Sequence, residues 1–346
     1  MRILLTGHEG YIGAVARRVF ADAGHDVVGL DTGWYVGCDL GPAPSPIPSI
    51  EKDIRDVEVD DLVGFDAVAH LAAVSNDPIG ELDPDTTYEI NHRASVRLAE
   101  VARHAGVPRF LFSSSCSLYG AAGTDAPLDE ESGFDPVTAY GHSKVLAEQD
   151  ISPMADDSFS PTYLRNATVY GSSPRLRGDV VVNNLTGIAF DTGRIEMTSD
   201  GSPWRPLVHV ADVANAFLAI AEAPRDLVHD EAINIGRTSE NYRIRDVASI
   251  VESALPGSTV SFAEGAGADK RDYRVDCSKL ERLLPHATPS RTVADGVREL
   301  IEDYGRFGVT LDQINGRQFT RLRRIDELMA EGRLDEKLRW RAAVAA

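Results

Sequence analysis

Short apolar runs along the chain alternate with longer stretches in which apolar residues recur every three or four positions, the pattern of strands alternating with helices. Ile3 to Leu5 is a buried-strand signal, and Val15, Val19 and Phe20 follow with helical spacing. Val27 to Leu30, Phe65 to Ala73 and Arg109 to Phe112 predict further strands, and a helix carrying Asn91 runs to about His104. Strand and helix in alternation imply an α/β fold with a parallel sheet. From Gly37 to Ser49 the prolines at 42, 44, 46 and 48 break both periods, so this connection reads as a surface loop, ordered or mobile.

The glycine-rich stretch Thr6-Gly7-His8-Glu9-Gly10-Tyr11-Ile12-Gly13 lies between the first strand and its helix. Glycines there permit positive φ and bring backbone N–H groups close to a pyrophosphate, to which the helix N-terminus adds its dipole. The spacing of Gly7, Gly10 and Gly13 is one residue longer at its first interval than the usual dinucleotide fingerprint, and the plain alternative is a glycine turn without a ligand. The next strand ends in Asp31, a carboxylate suited to an adenosine ribose and repellent to a 2′-phosphate. No arginine follows at Thr32 or Gly33, so the expected cofactor is NAD. Ala72 and Ala73 end their strand with side chains small enough for a cofactor to lie against the backbone.

Asn76-Asp77-Pro78-Ile79-Gly80 reads either as an active-site wall over the carboxyl edge of the sheet or as an ordinary surface loop. Polar residues end the strand at Phe112, and the serine run Ser113 to Ser117 then falls on the ligand side. In Tyr140-Gly141-His142-Ser143-Lys144, helical spacing stacks a phenol and an ammonium on one face. A phenol titrates near pH 10 unless a neighbouring positive charge favours the phenolate, which Lys144 is placed to supply. Such a pair on a solvated helix is also commonplace.

At 346 residues the chain has room for a nucleotide-binding unit and a smaller second lobe. A net charge of -19, from 54 acidic and 35 basic residues, argues against a nucleic-acid partner. Cys38, Cys116 and Cys277 are odd in number and widely spaced, which suits reduced thiols in a cytoplasm and no metal site. The first apolar run is too short for a signal peptide or membrane span, so neither a membrane partner nor export is expected.

Taken together, Thr6-Gly7-x-x-Gly10-Tyr11-Ile12-Gly13, Asp31, Asp53-Ile54, His70-Leu71-Ala72-Ala73, Asn91, Ser113-Ser114-Ser115 and Tyr140-x-x-x-Lys144 resemble the extended short-chain dehydrogenase/reductase family, in its nucleotide-sugar epimerase/dehydratase branch, over roughly residues 1 to 300. The resemblance implies a Rossmann-type doubly wound parallel sheet with a smaller mixed α/β C-terminal substrate lobe. It implies an NAD-binding domain over 1–171 with later returns near 205–235 and 272–285, and a nucleotide-sugar-binding lobe over 172–204 and 236–346 that ends in a helical extension. Tyr140 would be the acid/base, with Lys144 lowering its pKa and holding the nicotinamide ribose, and Ser115 would bond the reacting oxygen. Gly7, Gly10, Tyr11, Ile12 and Gly13 would face the pyrophosphate, Asp31 the ribose, Asp53 and Ile54 the adenine, Leu71, Ala72 and Ala73 would complete the cofactor wall, and Asn91, counted with the cofactor residues, would support the catalytic group structurally. The substrate would be a nucleotide-diphosphate sugar, touched by Ser115 and Ser117, by Asn184 of Val182-Asn183-Asn184-Leu185, and by Arg205. Dimerisation through paired helices, including the one bearing Tyr140, is also implied.

Departures from the family pattern narrow the reaction. Cys116-Ser117 stands where dehydratases of this branch carry Asp-Glu, which disfavours 4,6-dehydration. Cys116 is offset by one residue from the cysteine of members that epimerise beside a ketone, so it is expected to pack rather than react. In Tyr163 to Gly171, expected as one strand, Thr168 replaces a usual asparagine, with Asn166 two residues earlier on the same face as a substitute contact. Ala266 replaces a diphosphate arginine, leaving Lys270 and Arg271 to take over. Beyond Gly305 the basic stretch Phe319 to Arg324 and the amphipathic Ile325 to Leu338 read either as a tail packed on the second lobe or as a subunit contact. The leading function is an NAD-dependent C4 epimerase acting through a transient 4-ketone. A nucleotide-4-keto-sugar reductase using NADH or NADPH is the alternative, and a non-catalytic cofactor-sensing or scaffold protein a third.

Overall fold

The computed structural model describes residues 1–75, 83–121, 126–267 and 271–341. Its strands are β1 (Arg2–Thr6), β2 (Asp26–Asp31), β3 (Ser49–Glu51), β4 (Ala67–His70), β5 (Arg109–Ser115), β6 (Ser160–Asn166), β7 (Thr168–Tyr170), β8 (Arg194–Ser199), β9 (Trp204–His209), β10 (Glu231–Ile235), β11 (Asn241–Arg243) and β12 (Thr259–Gly267). Seven of them form one sheet in the order β10-β6-β5-β4-β1-β2-β3, with every neighbouring pair parallel.

Such a sheet must be covered on both faces, and the apolar runs divide between them at period two. Ile3 and Leu5 point to a core shared with Phe20, Phe217 and Ile220, whereas Leu4 points to the opposite core with Leu98, Phe110 and Phe159. The chain leaves β3 at one edge and resumes at β4 beside β1, so the strand order reverses between β1 and β4. A crevice opens at the carboxyl ends of strands at such a reversal.

β11-β9-β7 and β12-β8 form two small sheets. With the helices Val181–Thr192, Ile244–Ala254 and Val293–Phe307 they enclose a third core around Leu207, Val297 and Tyr304. The proline-rich connection contributes Leu40 to this core, and Leu40 N donates to Pro174 O at 2.9 Å.

Three local expectations change. β5 continues through the serines, because Ser113, Ser114 and Ser115 pair with Leu164, Arg165 and Asn166 of β6. The stretch Tyr163 to Gly171 is two strands rather than one: the chain leaves the large sheet at Ala167 and joins the small one at Thr168. The C-terminal stretch packs only in part on the second lobe: Phe319 joins the third core, and the helix Arg321–Ala330 then leads away from it. Ile325, Leu328, Leu334 and Leu338 join the core of the large sheet beside Trp34, Ile54 and Leu62. Burying four such side chains there contributes roughly 1.5–3 kcal/mol each. Among the described residues no helix is long and apolar enough to cross a membrane.

Candidate active site

The turn after β1 is built from close backbone contacts. Gly7, at φ 72°, donates its N–H to Leu30 O at 2.8 Å, and Gly10 N donates to Gly7 O at 2.9 Å. A Cβ on Gly13 would lie 2.1 Å from Gly7 O, and one on Gly7 would lie 2.8 Å from Ala72 N. Only glycine lets this turn nest against the loop after β4, which sets it into the wall of a cleft of about 1110 Å³. Gly7, Gly10, Tyr11, Ile12, Gly13, Asp31, Asp53, Ile54, Leu71, Ala72 and Ala73 all line that cleft. The cradle is therefore open where a dinucleotide diphosphate would lie, and these residues fit NAD.

Asp31 accepts from Glu9 N at 3.0 Å and Gly33 N at 2.8 Å, while burial holds its carboxyl above the usual range. The Asp53 carboxylate is engaged by Arg55 through Nη2 at 2.6 Å and Nε at 3.0 Å. Asn91 does not line the cleft. It lies in a π-helical turn, and its amide both donates to Val74 O and accepts from Val74 N at 2.8 Å, bracing the loop after β4 from behind. His70 lies behind the same wall between Thr6 Oγ1 at 2.7 Å and Ser95 Oγ at 2.9 Å. Burial, with the Lys144 charge adding to it, lowers the His70 pKa to about 3 and keeps the ring neutral.

Ser115 ends β5, and its hydroxyl accepts from Ser117 N at 3.1 Å. Tyr140 and Lys144 lie one turn apart in the helix Ala139–Ile151, whose start is capped by the Thr138 hydroxyl at 3.1 Å from Gly141 N. Lys144 Nζ donates to Ser113 O at 2.7 Å and sits 5.7 Å from the centre of the Tyr140 ring. Burial lowers the Lys144 pKa to about 7 against the opposing charge of Glu148. Glu148 also pins this helix to the sheet: it accepts from Arg165 Nη2 at 2.7 Å and from the Ser114 hydroxyl. Ser115, Ser117, Tyr140 and Lys144 share the cleft wall. Cys116 is turned away, its thiol buried near Arg165 O at 3.1 Å among Tyr119, Tyr273 and Val275, and burial pushes its pKa up.

At the end of β6 the large sheet gives the cleft Asn166, and the second lobe gives it Thr168, Asn184, Arg205 and Arg271. Asn166 Nδ2 donates to Ser113 Oγ at 3.0 Å, while its Oδ1 is buried without a donor among the described residues. Asn184 donates to Gly178 O at 2.8 Å. Its neighbour Asn183 is buried and donates to the Tyr11 hydroxyl at 3.2 Å, joining lobe to sheet. The Arg205 guanidinium donates to Trp204 O at 2.7 Å and also to Arg271 O. The expected wall at Asn76 to Gly80 lies outside the described residues, as does Lys270.

Trp34, Tyr35, Arg177, Asp179 and Arg321 line the same cleft, and the sequence reading does not include them among the site residues. The basic stretch after Phe319 is the one local hint of Arg321.

A parallel sheet with a glycine cradle at its reversal point, and a tyrosine and lysine on the facing wall, defines an extended short-chain dehydrogenase/reductase. Residues 3–236 match the NAD dependent epimerase/dehydratase family, to which the chain belongs as an NAD-dependent enzyme. The chain is 26% identical over 318 residues to the uncharacterized UDP-glucose epimerase YtcB of Bacillus subtilis (strain 168), an alignment covering 86% of this chain and 96% of that protein. It is 28% identical over 313 residues to UDP-glucose 4-epimerase of Mycolicibacterium smegmatis, covering 87% and 98%. The structure of MoeE5 in complex with UDP-glucose and NAD superposes with a TM-score of 0.76 at 27% identity, covering 88% of this chain and 99% of that one.

Proposed function

We propose that the protein is an NAD-dependent nucleotide-sugar epimerase that inverts C4 of a UDP-hexose of the kind named for its relatives, with Tyr140 as acid/base. The observation that supports it most is the sharing of one cleft by the glycine cradle, the Ser115, Tyr140 and Lys144 side chains and the two arginines of the lobe. Tyr140 takes the proton of the sugar hydroxyl, and the Lys144 ammonium favours the resulting phenolate. The chemistry NAD supplies when bound is reversible acceptance of a hydride from the same carbon. The Ser115 hydroxyl donates to the ketone oxygen, the freed 4-keto sugar turns over within the cleft, and Tyr140 returns its proton to the inverted hydroxyl. Arg205 and Arg271 hold the diphosphate meanwhile, since guanidinium forks match phosphate oxygens.

The test is mass spectrometry of small molecules released by heat from the purified protein, followed by nuclear magnetic resonance of a panel of nucleotide sugars incubated without added cofactor. Near-stoichiometric NAD and interconversion of a C4 pair are expected. Stoichiometric consumption of NADH or NADPH by a 4-keto sugar, without epimerisation, would replace this reading with that of a reductase.

A further inference from the structure

The C-terminal segment crosses back onto the nucleotide side of the molecule, outside the residues that match the family. Arg55 Nη1 donates to Lys337 O at 2.8 Å, Trp340 Nε1 to Thr32 O at 2.6 Å, and Arg324 Nε to Trp34 O at 3.2 Å. These contacts fix the segment along the loop that follows Asp31, and they bring Arg321, 4% exposed, into the wall of the cofactor cleft.

Buried arginines are ordinarily matched by carboxylates. Arg321 has none within ion-pairing distance among the described residues. Its guanidinium lies 4.0 Å over the Tyr35 ring, and among the described residues only Nη2 is engaged, donating to Arg175 O at 2.9 Å. A guanidinium carries five N–H groups, so most of its donor capacity remains. Tyr35 offers no compensating charge, because burial pushes its phenol up to about 12. The nearby Asp179 is held by the second guanidinium of this wall, Arg177, through Nε at 2.9 Å and Nη2 at 3.1 Å. Arg321, Arg177 and Asp179 therefore leave one positive charge in excess here. Trp34, also on the cleft wall, buries its indole N–H with no acceptor among the described residues. A site with surplus cation and a spare donor is suited to an anion rich in acceptor oxygens.

We propose that Arg321 binds the diphosphate of NAD, and that the segment from Arg321 to Trp340 is a clasp that retains the cofactor. The same chemistry would suit the diphosphate of a nucleotide sugar. The contacts favour the cofactor: Arg321 rests on Tyr35 of the loop after Asp31, and on Arg175, whose own side chain reaches Glu9 of the glycine turn. The inference rests on NAD dependence and not on the identity of the sugar.

The full-length protein, freed of cofactor, is compared with Arg321→Met by calorimetric titration with NAD, ADP and UDP, and by competition with adenosine. Loss of a charge-assisted contact predicts NAD and ADP dissociation constants raised about tenfold to a hundredfold, with adenosine and UDP changed less than about twofold. The variant also copurifies with less NAD. Unchanged NAD and ADP affinity overturns the proposal, as does an equal fall for adenosine, which signals a distorted pocket, or a fall confined to UDP. If Arg321→Met does not fold, Arg321→Lys takes its place, with ADP weakened and adenosine unaffected, and the same outcomes overturn it. A protein of either sequence that binds NAD but no UDP removes the proposed substrate and leaves this proposal standing.

Discussion

The ammonium of Lys144 lies 5.7 Å from the centre of the Tyr140 ring and is tied to the Ser113 carbonyl at 2.7 Å, so this cation beside the phenol is fixed to the sheet rather than to solvent. Tyr140→Phe keeps the ring and removes the proton carrier. Turnover is expected to fall about 10²- to 10⁴-fold while the NAD content of the purified protein stays that of the parent. Turnover at the parental rate would end the assignment of Tyr140 as acid/base.

Burial that lowers the Lys144 pKa to about 7 has a consequence for stability. Between pH 7 and the ordinary lysine range near pH 10, the unfolded chain holds a proton that the folded one releases. Stability of the cofactor-free protein therefore rises with pH across this window by up to about 1.4 kcal/mol per unit. Lys144→Met removes that dependence, and its lost bond to Ser113 O, about 1–3 kcal/mol, does not vary with pH. The melting temperature of the variant relative to the parent should climb as pH falls from 9.5 to 7 and level off below. A constant difference would contradict the lowered pKa of Lys144.

Gly13→Ala places a methyl 2.1 Å from the Gly7 carbonyl oxygen, in backbone that cannot yield without opening the turn. A cost of about 1–3 kcal/mol and loss of copurified NAD are expected, read by thermal melting and by absorbance at the nucleotide band. Gly133→Ala, where an added Cβ meets nothing within 4 Å, serves as the control and should be near neutral.

Asp31→Asn removes the charge and, because Glu9 N and Gly33 N bond to different carboxylate oxygens, keeps an acceptor for only one of the two amides. NAD affinity should drop by more than NADP affinity, narrowing the preference between them, as measured by fluorescence titration. Equal losses for both would show that the carboxylate does not face the adenosine ribose.

What the sequence displays most clearly is what depends on neighbours in the chain. Gly7, Gly10 and Gly13 announce their turn because Gly7 takes a positive φ and all three meet backbone where a Cβ would go, and Tyr140 and Lys144 meet by helical spacing alone. Arg321 is invisible by the same logic. Its role depends on where a helix some three hundred residues after Tyr35 comes to rest, and the amphipathic pattern of Ile325 to Leu338 specifies a buried face without specifying what buries it. Asn91 illustrates an intermediate case: its position in a helix is legible, but the π-helical turn that aims its amide at Val74, behind the cleft wall, is a result of packing.

The closing of residues 321–341 over Trp34 and Ile54 also sets an order of events during synthesis. The last strand of the large sheet, β10, emerges from the ribosome well before the clasp. A nascent chain can therefore complete its sheet and glycine cradle while this apolar strip is still bare, and on the proposed role of Arg321 it becomes a tight holder of NAD only after translation has passed the clasp.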